Sequence, residues 1–399
     1  MNKKASLSII FFTVFIDLLG FGILIPILPL FASQKLNISD FEIGIIIASF
    51  SFIQFLFNPV LGKLSDKIGR RPIIVSTLLL TAFSYILFTF AHNFWMLLIS
   101  RLLAGFGGSN IGVAQAYIAD VTSKEERAKG MGLIGAAFGL GFLFGPMIGG
   151  IISQYNYEYA GYGSAGFSLL AFLFSLFFLP ESKKKNSLVD VHKIKIFDIQ
   201  FAIETFKIPI TGMLIFMFFL IVFSMANIYG TFPIIGSKYY GFSNKDITYM
   251  YVIMGLIGAI IQGGLMKYLT ENLKDKNLVI FGMIMLSLGL GFIPYGYNFY
   301  GVMISISFLS VGSGILQPII ISMISKYSPE HNQGSTLGLS QSLSALGRVL
   351  GPLWGGFSYD YIGFRSPFLT GSLISFFALV ISFKMLNNLE KKKDQNVKN

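Results

Sequence analysis

The chain contains no cysteine and only three histidines. The first absence removes disulfides, zinc–thiolate sites, iron–sulfur clusters and thiol nucleophiles together. The histidines, His92, His192 and His331, all fall in segments expected to be loops. The sequence has no H-E-x-x-H run, no nucleophile elbow and no Walker A stretch. An enzyme or an ATP-driven pump has little to be built from. Charge is scarce as well. Asp, Glu, Lys and Arg make up 12% of 399 residues, against about 25% in a soluble domain. A water-facing surface cannot be made from so few.

What is present is apolar: 54% hydrophobic and 16% aromatic residues, with 43 glycines that let membrane helices approach closely. Charged clusters separate apolar runs of roughly 20 residues, the length at which an α-helix crosses a hydrocarbon core of about 30 Å. Lipid offers the backbone no hydrogen-bond partners, so such runs are helices. The expectation is an all-α membrane protein with twelve spans, near 6–31, 41–62, 72–91, 94–117, 131–152, 162–180, 209–233, 245–267, 277–296, 298–325, 335–358 and 367–388. The first run is too long for a signal-peptide core and lacks a small-residue cleavage site, so it reads as a retained span. Residues 1–180 and 209–388 are then two six-helix halves. Between them, 181–208 forms a surface-lying linker with Lys183, Lys184, Lys185, Lys193 and Lys195 and an amphipathic piece at 199–206; from Leu389 to residue 399 runs a charged, irregular tail.

Basic residues orient the chain. With a cytoplasmic N-terminus, only Lys35, Lys238, Lys245 and Arg365 fall in outer loops, and Arg101 and Arg348 fall within spans. All other Lys and Arg face the cytoplasm, which predicts that both termini do too. The net charge of +11 follows from the same bias and serves anionic headgroups; no nucleic-acid partner is expected. Tyr155, Tyr157, Tyr159 and Tyr162 read as an interfacial cluster on the outer side. The G-x-G-x-x-G match at Gly161 to Gly166 follows no strand and is not a nucleotide loop.

The halves repeat. Gly141, Gly145, Pro146, Gly149 and Gly150 match Gly347, Gly351, Pro352, Gly355 and Gly356 at an offset of 206, and Asn58 matches Gln262 at 204. Two repeated halves place a substrate site at their interface near the midplane. Gly141, Gly145 and Gly149 share one helix face, which a neighbouring helix can approach closely. Between spans 2 and 3 lies GKLSDKIGRR, in which Gly62 and Gly69 permit a tight turn and Asp66 sits among Lys63, Lys67, Arg70 and Arg71. The matching stretch MKYLTENLKD, from Met266, has lost most of that pattern.

Three charges lie inside spans. Asp17, in DLLGFGILIPILP, and Arg101, in SRLLAGFGGSN, both fall near the midplane by ~1.5 Å per residue. Charges at that depth are costly and functional by default. A carboxyl releases its proton more readily beside a guanidinium and keeps it when the guanidinium leaves, so relative movement of Arg101 and Asp17 would load or unload a proton. A static pair fixing span 1 to span 4 is the competing reading. Arg348, in span 11, has no acid in the second half's spans to pair with. It reads either as a snorkelling arginine or as a cation facing the cavity, ready for an anionic group. Gln54, Gln115, Asn227 and Gln317 are further candidates for lining residues.

The loop GKLSDKIGRR resembles the G-x-L-x-D-[RK]-x-G-[RK]-[RK] signature of the major facilitator superfamily. Spans 1, 4 and 5 resemble the D-x-x-G-x-G-x-x-x-P-x-x-P, R-x-x-x-G-x-G and G-x-x-x-G-P-x-x-G-G patterns of its twelve-span drug:proton antiporters, tetracycline exporters included. The resemblance implies a monomeric transporter in the plasma membrane that exchanges amphipathic organic compounds for protons by alternating access. It implies that Asp17 carries the proton and Arg101 tunes it. Asp66, with its basic neighbours, would latch the second half on the cytoplasmic side. The glycine faces of spans 5 and 11 would form the sliding contact between halves. An exporter or facilitator for an endogenous anion, lipid or sugar derivative is the alternative, and Arg348 favours it.

Overall fold

The computed structural model describes residues 3–38, 40–153, 155–182, 199–329 and 332–398. His192, His331 and the linker lysines Lys183, Lys184, Lys185, Lys193 and Lys195 lie outside them. The described residues form helices and connecting turns, with no strand. The first half holds α1 (Lys3–Leu30), α2 (Asp40–Ile68), α3 (Arg70–Thr89), α4 (Phe94–Gly107), α5 (Ile111–Val121), α6 (Arg127–Ser153) and α7 (Tyr157–Phe178). A short α8 (Ile199–Lys207) precedes the second half: α9 (Pro209–Tyr240), α10 (Asn244–Ala259), α11 (Met266–Asn272), α12 (Asp275–Phe292), α13 (Phe299–Tyr327), α14 (Gln333–Tyr361) and α15 (Ser366–Lys398).

Eleven stretches among the described residues are long and apolar enough to cross a membrane. One of them, Phe94–Val121, joins α4 and α5 through a 3-10 turn at Gly108–Asn110, where Ser109 leaves helical geometry. Another, Tyr249–Asn272, joins α10 and α11 through a π-helical turn at Ile260–Leu265. The twelfth expected span, 335–358, is α14. It has the length but is rich in Ser, Gly and Gln, and it packs against α2, α9 and α5. A helix wrapped by other helices meets small polar neighbours rather than lipid, so it need not be strongly apolar. The expected irregular tail from Leu389 instead continues α15 to Lys398.

Local chemistry ends the helices where the chain turns. At the end opposite the N-terminus, Asn93 accepts a hydrogen bond from the Met96 N–H (3.0 Å) and Asn298 from the Gly301 N–H (2.9 Å), so α4 and α13 begin on repeat-related caps. Ser243 and Asp246 form a reciprocal capping box at α10. The Ser243 hydroxyl and N–H donate to Asp246, which holds its carboxyl below the usual range. Gly161 to Gly166 lies within helix α7, with no strand before it. Tyr155, Tyr159 and Tyr162 are exposed at the same end of the molecule.

Candidate transport pathway and inter-half contacts

The connection between α2 and α3 is tighter than expected. Helix α2 runs through Gly62 to Ile68, so Gly62 is not part of the turn. Only Gly69, at φ 105°, supplies the left-handed geometry there. Gly62 instead permits contact between halves, since a Cβ on it would overlap the Gly334 carbonyl of α14. Four residues on, Asp66 reaches the start of α14. Its carboxylate accepts hydrogen bonds from the Gly334 N–H (3.0 Å), the Ser335 N–H (2.7 Å) and the Ser335 hydroxyl (2.8 Å). The first N–H groups of a helix have no partner within it and carry its positive dipole end, so a carboxylate there is doubly favoured.

Arg70 holds Asp66 from behind. Its guanidinium is fully buried, 2.8 Å from Asp66 and 3.0 Å from Asp120 of α5, and donates to Ser65 Oγ. Glu181 covers the start of α3, accepting from the N–H groups of Arg70 (2.9 Å) and Arg71 (3.2 Å). Arg71 in turn donates to the Leu176 carbonyl of α7. Sequence reading missed Asp120 and Glu181. Both stand at the same-side ends of spans 4 and 6, and that shared level was the available signal.

The glycine motifs lie where they were not expected. Gly141, Gly145 and Gly149 face α1 of the same half: a Cβ on Gly145 would meet Gly22, and one on Gly149 the Ile23 carbonyl. Gly347 and Gly351 likewise face Phe223, Ala226 and Asn227 of α9. Gly355 is buried within α14, while Gly150 and Gly356 have open space where a Cβ would stand. Both helices continue through Pro146 and Pro352. The expected sliding contact between halves is therefore not made by these faces, because their glycines are already used in bringing α1 and α9 close.

Other glycines make that contact. Gly132, Gly135 and Gly139 of α6 meet Gln262, Ala259 and Gly255 of the second half, while Gly338 of α14 meets Asn58 of α2 and Gly112 of α5. Gly132 and Gly338 correspond in the repeat at an offset of 206, and the residues they touch, Gln262 and Asn58, correspond at 204. Two equivalent seams join the halves. Each has a buried side-chain oxygen, on Asn58 and Gln262, with no hydrogen-bond partner among the described residues. All these contacts lie in the N-terminus-side portions of the helices. Toward the other end, Gly44 and Gly356 have open space instead. The molecule is closed on the N-terminus side.

Asp17 and Arg101 are both buried but do not pair. Asp17 accepts a hydrogen bond from Ser168 of α7 (2.8 Å). The Arg101 guanidinium lies 5.5 Å from the Tyr85 ring centre and 5.8 Å from that of Phe88. Its Nε and Nη2 have no hydrogen-bond partner among the described residues. Cation–π attraction holds Arg101 in this arrangement, and the static pair with Asp17 is not formed.

The polar residues proposed to line the cavity divide into two groups. Arg348 donates to Ser344 one turn earlier (2.8 Å) and to Gln54 Oε1 of α2 (3.0 Å), and Gln54 donates onward to the Gly108 carbonyl (3.0 Å). That carbonyl sits at the 3-10 turn between α4 and α5, where the helical ladder is interrupted. Gln115 accepts from Gln341 (3.2 Å), the second amide contact between halves. Asn227 is drawn away from this cluster: its amide donates to the Pro367 carbonyl and Thr370 of α15, inside the second half. Gln317 is half-buried on α13 beside Pro318, away from these hydrogen bonds.

The family profile described as Major Facilitator Superfamily matches residues 10–272 and 214–399. The chain is 30% identical over 369 residues to the class E tetracycline resistance protein of Escherichia coli, covering 90% of this chain and 89% of that one. It is 29% identical to multidrug resistance protein 1 of Bacillus subtilis strain 168, covering 96% of this chain and 97% of that one. Against the quinolone resistance protein NorA of Staphylococcus aureus strain COL it is 25% identical with both chains fully covered. The crystal structure of the human organic anion transporter MFSD10 (TETRAN) superposes with a TM-score of 0.84 at 24% identity, covering 96% of this chain and all of that one, a likeness of fold.

Proposed function

This chain belongs to the major facilitator superfamily, and on that premise we propose that it exports amphipathic organic compounds in exchange for protons by alternating access. That it is a multi-pass membrane transporter close to drug efflux pumps, and not an enzyme, follows from the family and its relatives. The finer reading assigns residues 1–180 and 209–388 to two rocking halves, 181–208 to a linker, and 389–399 to a tail. It places the protein in the plasma membrane, both termini cytoplasmic, as a monomer with a small-molecule substrate and no cofactor besides the proton. Closure on the N-terminus side then corresponds to an outward-facing state, with Asp66 and the Arg70 cluster as its latch.

The observation that carries proton coupling is the separation of the two buried charges. Asp17 has a hydroxyl partner and no cation, while Arg101 rests on aromatic rings. Approach of a guanidinium favours the ionised form of a carboxyl, so movement of Arg101 toward Asp17 would release a proton. The test is proton movement in proteoliposomes with a trapped pH dye, on adding cationic, neutral and anionic amphiphiles. A substrate-evoked pH change in wild type that vanishes in Asp17→Asn supports antiport. Substrate movement without any pH change in either would leave an uncoupled exporter or facilitator. Arg348 favours a second reading of substrate charge, an organic anion rather than a cation.

A further inference from the structure

Arg348 is held differently from Arg70 and Arg101. Arg70 has two carboxylates and Arg101 has two aromatic rings. Arg348 has only neutral oxygens, those of Ser344 and Gln54, and no carboxylate among the described residues pairs with it. It is half-buried on α14, ten residues beyond the seam glycine Gly338 toward Gly356. Ser344, one helical turn away, fixes its direction along α14. Its repeat counterpart in the first half is Phe142, which is exposed.

The first half presents aromatic rings at the same level. Phe50 stands one turn from Gln54 on α2 and so on the same helix face. It stacks on Phe21 of α1 at 5.1 Å between ring centres, and Phe21 meets Phe142 edge-on at 6.1 Å. An aromatic wall thus runs from the residue that holds Arg348 to the residue that mirrors it.

Resting on the transporter reading above, we propose that this cluster binds aromatic organic anions, with the substrate's carboxylate or sulfonate on Arg348 and its rings against Phe50, Phe21 and Phe142. The guanidinium meets a neutral oxygen on Gln54; a carboxylate or sulfonate brings a full opposite charge and can accept two parallel N–H bonds, so an anion outcompetes the Gln54 carbonyl oxygen. Gln54 belongs to the opposite half. Displacing it removes a hydrogen bond between the halves, so substrate binding itself loosens their contact.

The test is equilibrium binding of tritiated 2-naphthoate to the full chain in lipid nanodiscs, with 2-naphthylmethylammonium as the cation of matching ring and empty discs as background. Wild type is expected to bind the carboxylate saturably and the amine at least about tenfold more weakly. Arg348→Gln lowers naphthoate affinity by about tenfold or more. Gln54→Glu does the same, because it gives Arg348 a permanent partner; it decides the matter if Arg348→Gln does not fold. Equilibrium binding is read without any proton movement, so failure of this site is distinguishable from failure of proton coupling, which the pH-dye experiment reads. Absence of saturable naphthoate binding in folded wild type, equal binding of the amine, or naphthoate affinity in Gln54→Glu within about twofold of wild type would each overturn the proposal.

Discussion

Asp66 shows what one side chain does when helix geometry and charge agree. It caps α14 of the other half while facing the buried guanidinium of Arg70 within its own. Asp66→Asn keeps the shape but loses the charge on both sides. Charge-assisted hydrogen bonds of this kind contribute about 1.5–3 kcal/mol, so the replacement should shift the molecule away from closure on the N-terminus side by roughly that amount. Labelling of a cysteine introduced at Met266, buried against Gly132 across the seam, in the otherwise cysteine-free chain should accelerate in that variant, and an unchanged rate would deny Asp66 its role. The depth of Asp17, Arg101 and Arg348 was legible by counting residues along helices. Their partners were not, because rotation about a helix axis is set by packing. Ser168, Tyr85, Phe88 and Ser344 became visible only once the helices stood side by side.

At the scale of elements, periodicity identified the spans, and the one it served least was α14. Its Ser- and Gly-rich face is an adaptation to close neighbours, which hydropathy cannot distinguish from exposure to water. The glycine motifs were legible as close-contact faces but not as to which helix they contact. A three- or four-residue spacing identifies a face, and both faces of α6 carry such a row. The two rows should respond differently to a methyl group. Gly145→Ala drives a Cβ into the backbone of Gly22 and Ile23, where nothing can swing aside. It should cost about 1–3 kcal/mol of fold stability, seen as a lower unfolding temperature. Gly139→Ala meets only Ala259 and the Gly255 carbonyl at 3.3 Å, across the seam. It should leave that temperature nearly unchanged and alter the transport rate. Equal destabilisation by both would show that the seam is as rigid as the interior of a half.

At the scale of the molecule, the internal repeat was the most informative signal. The offset that aligns Gly141 with Gly347 also aligns Gly132 with Gly338, and those residues mark two equivalent seams. The asymmetry was legible too, since the Asp66 pattern and the Asp17 and Arg101 charges lack counterparts in the second half. Which end is closed was not in the sequence, because the same residues must serve both states. The central claim is that the halves rock about these seams. It is tested most directly by spin-label distances in two double-cysteine variants, Lys129→Cys/Tyr268→Cys on the N-terminus side and Tyr155→Cys/Tyr361→Cys on the other, all at exposed positions. Changing pH and adding substrate should lengthen the first distance and shorten the second. Distances that stay fixed, or that move together, in protein shown to transport would contradict rocking of two rigid halves.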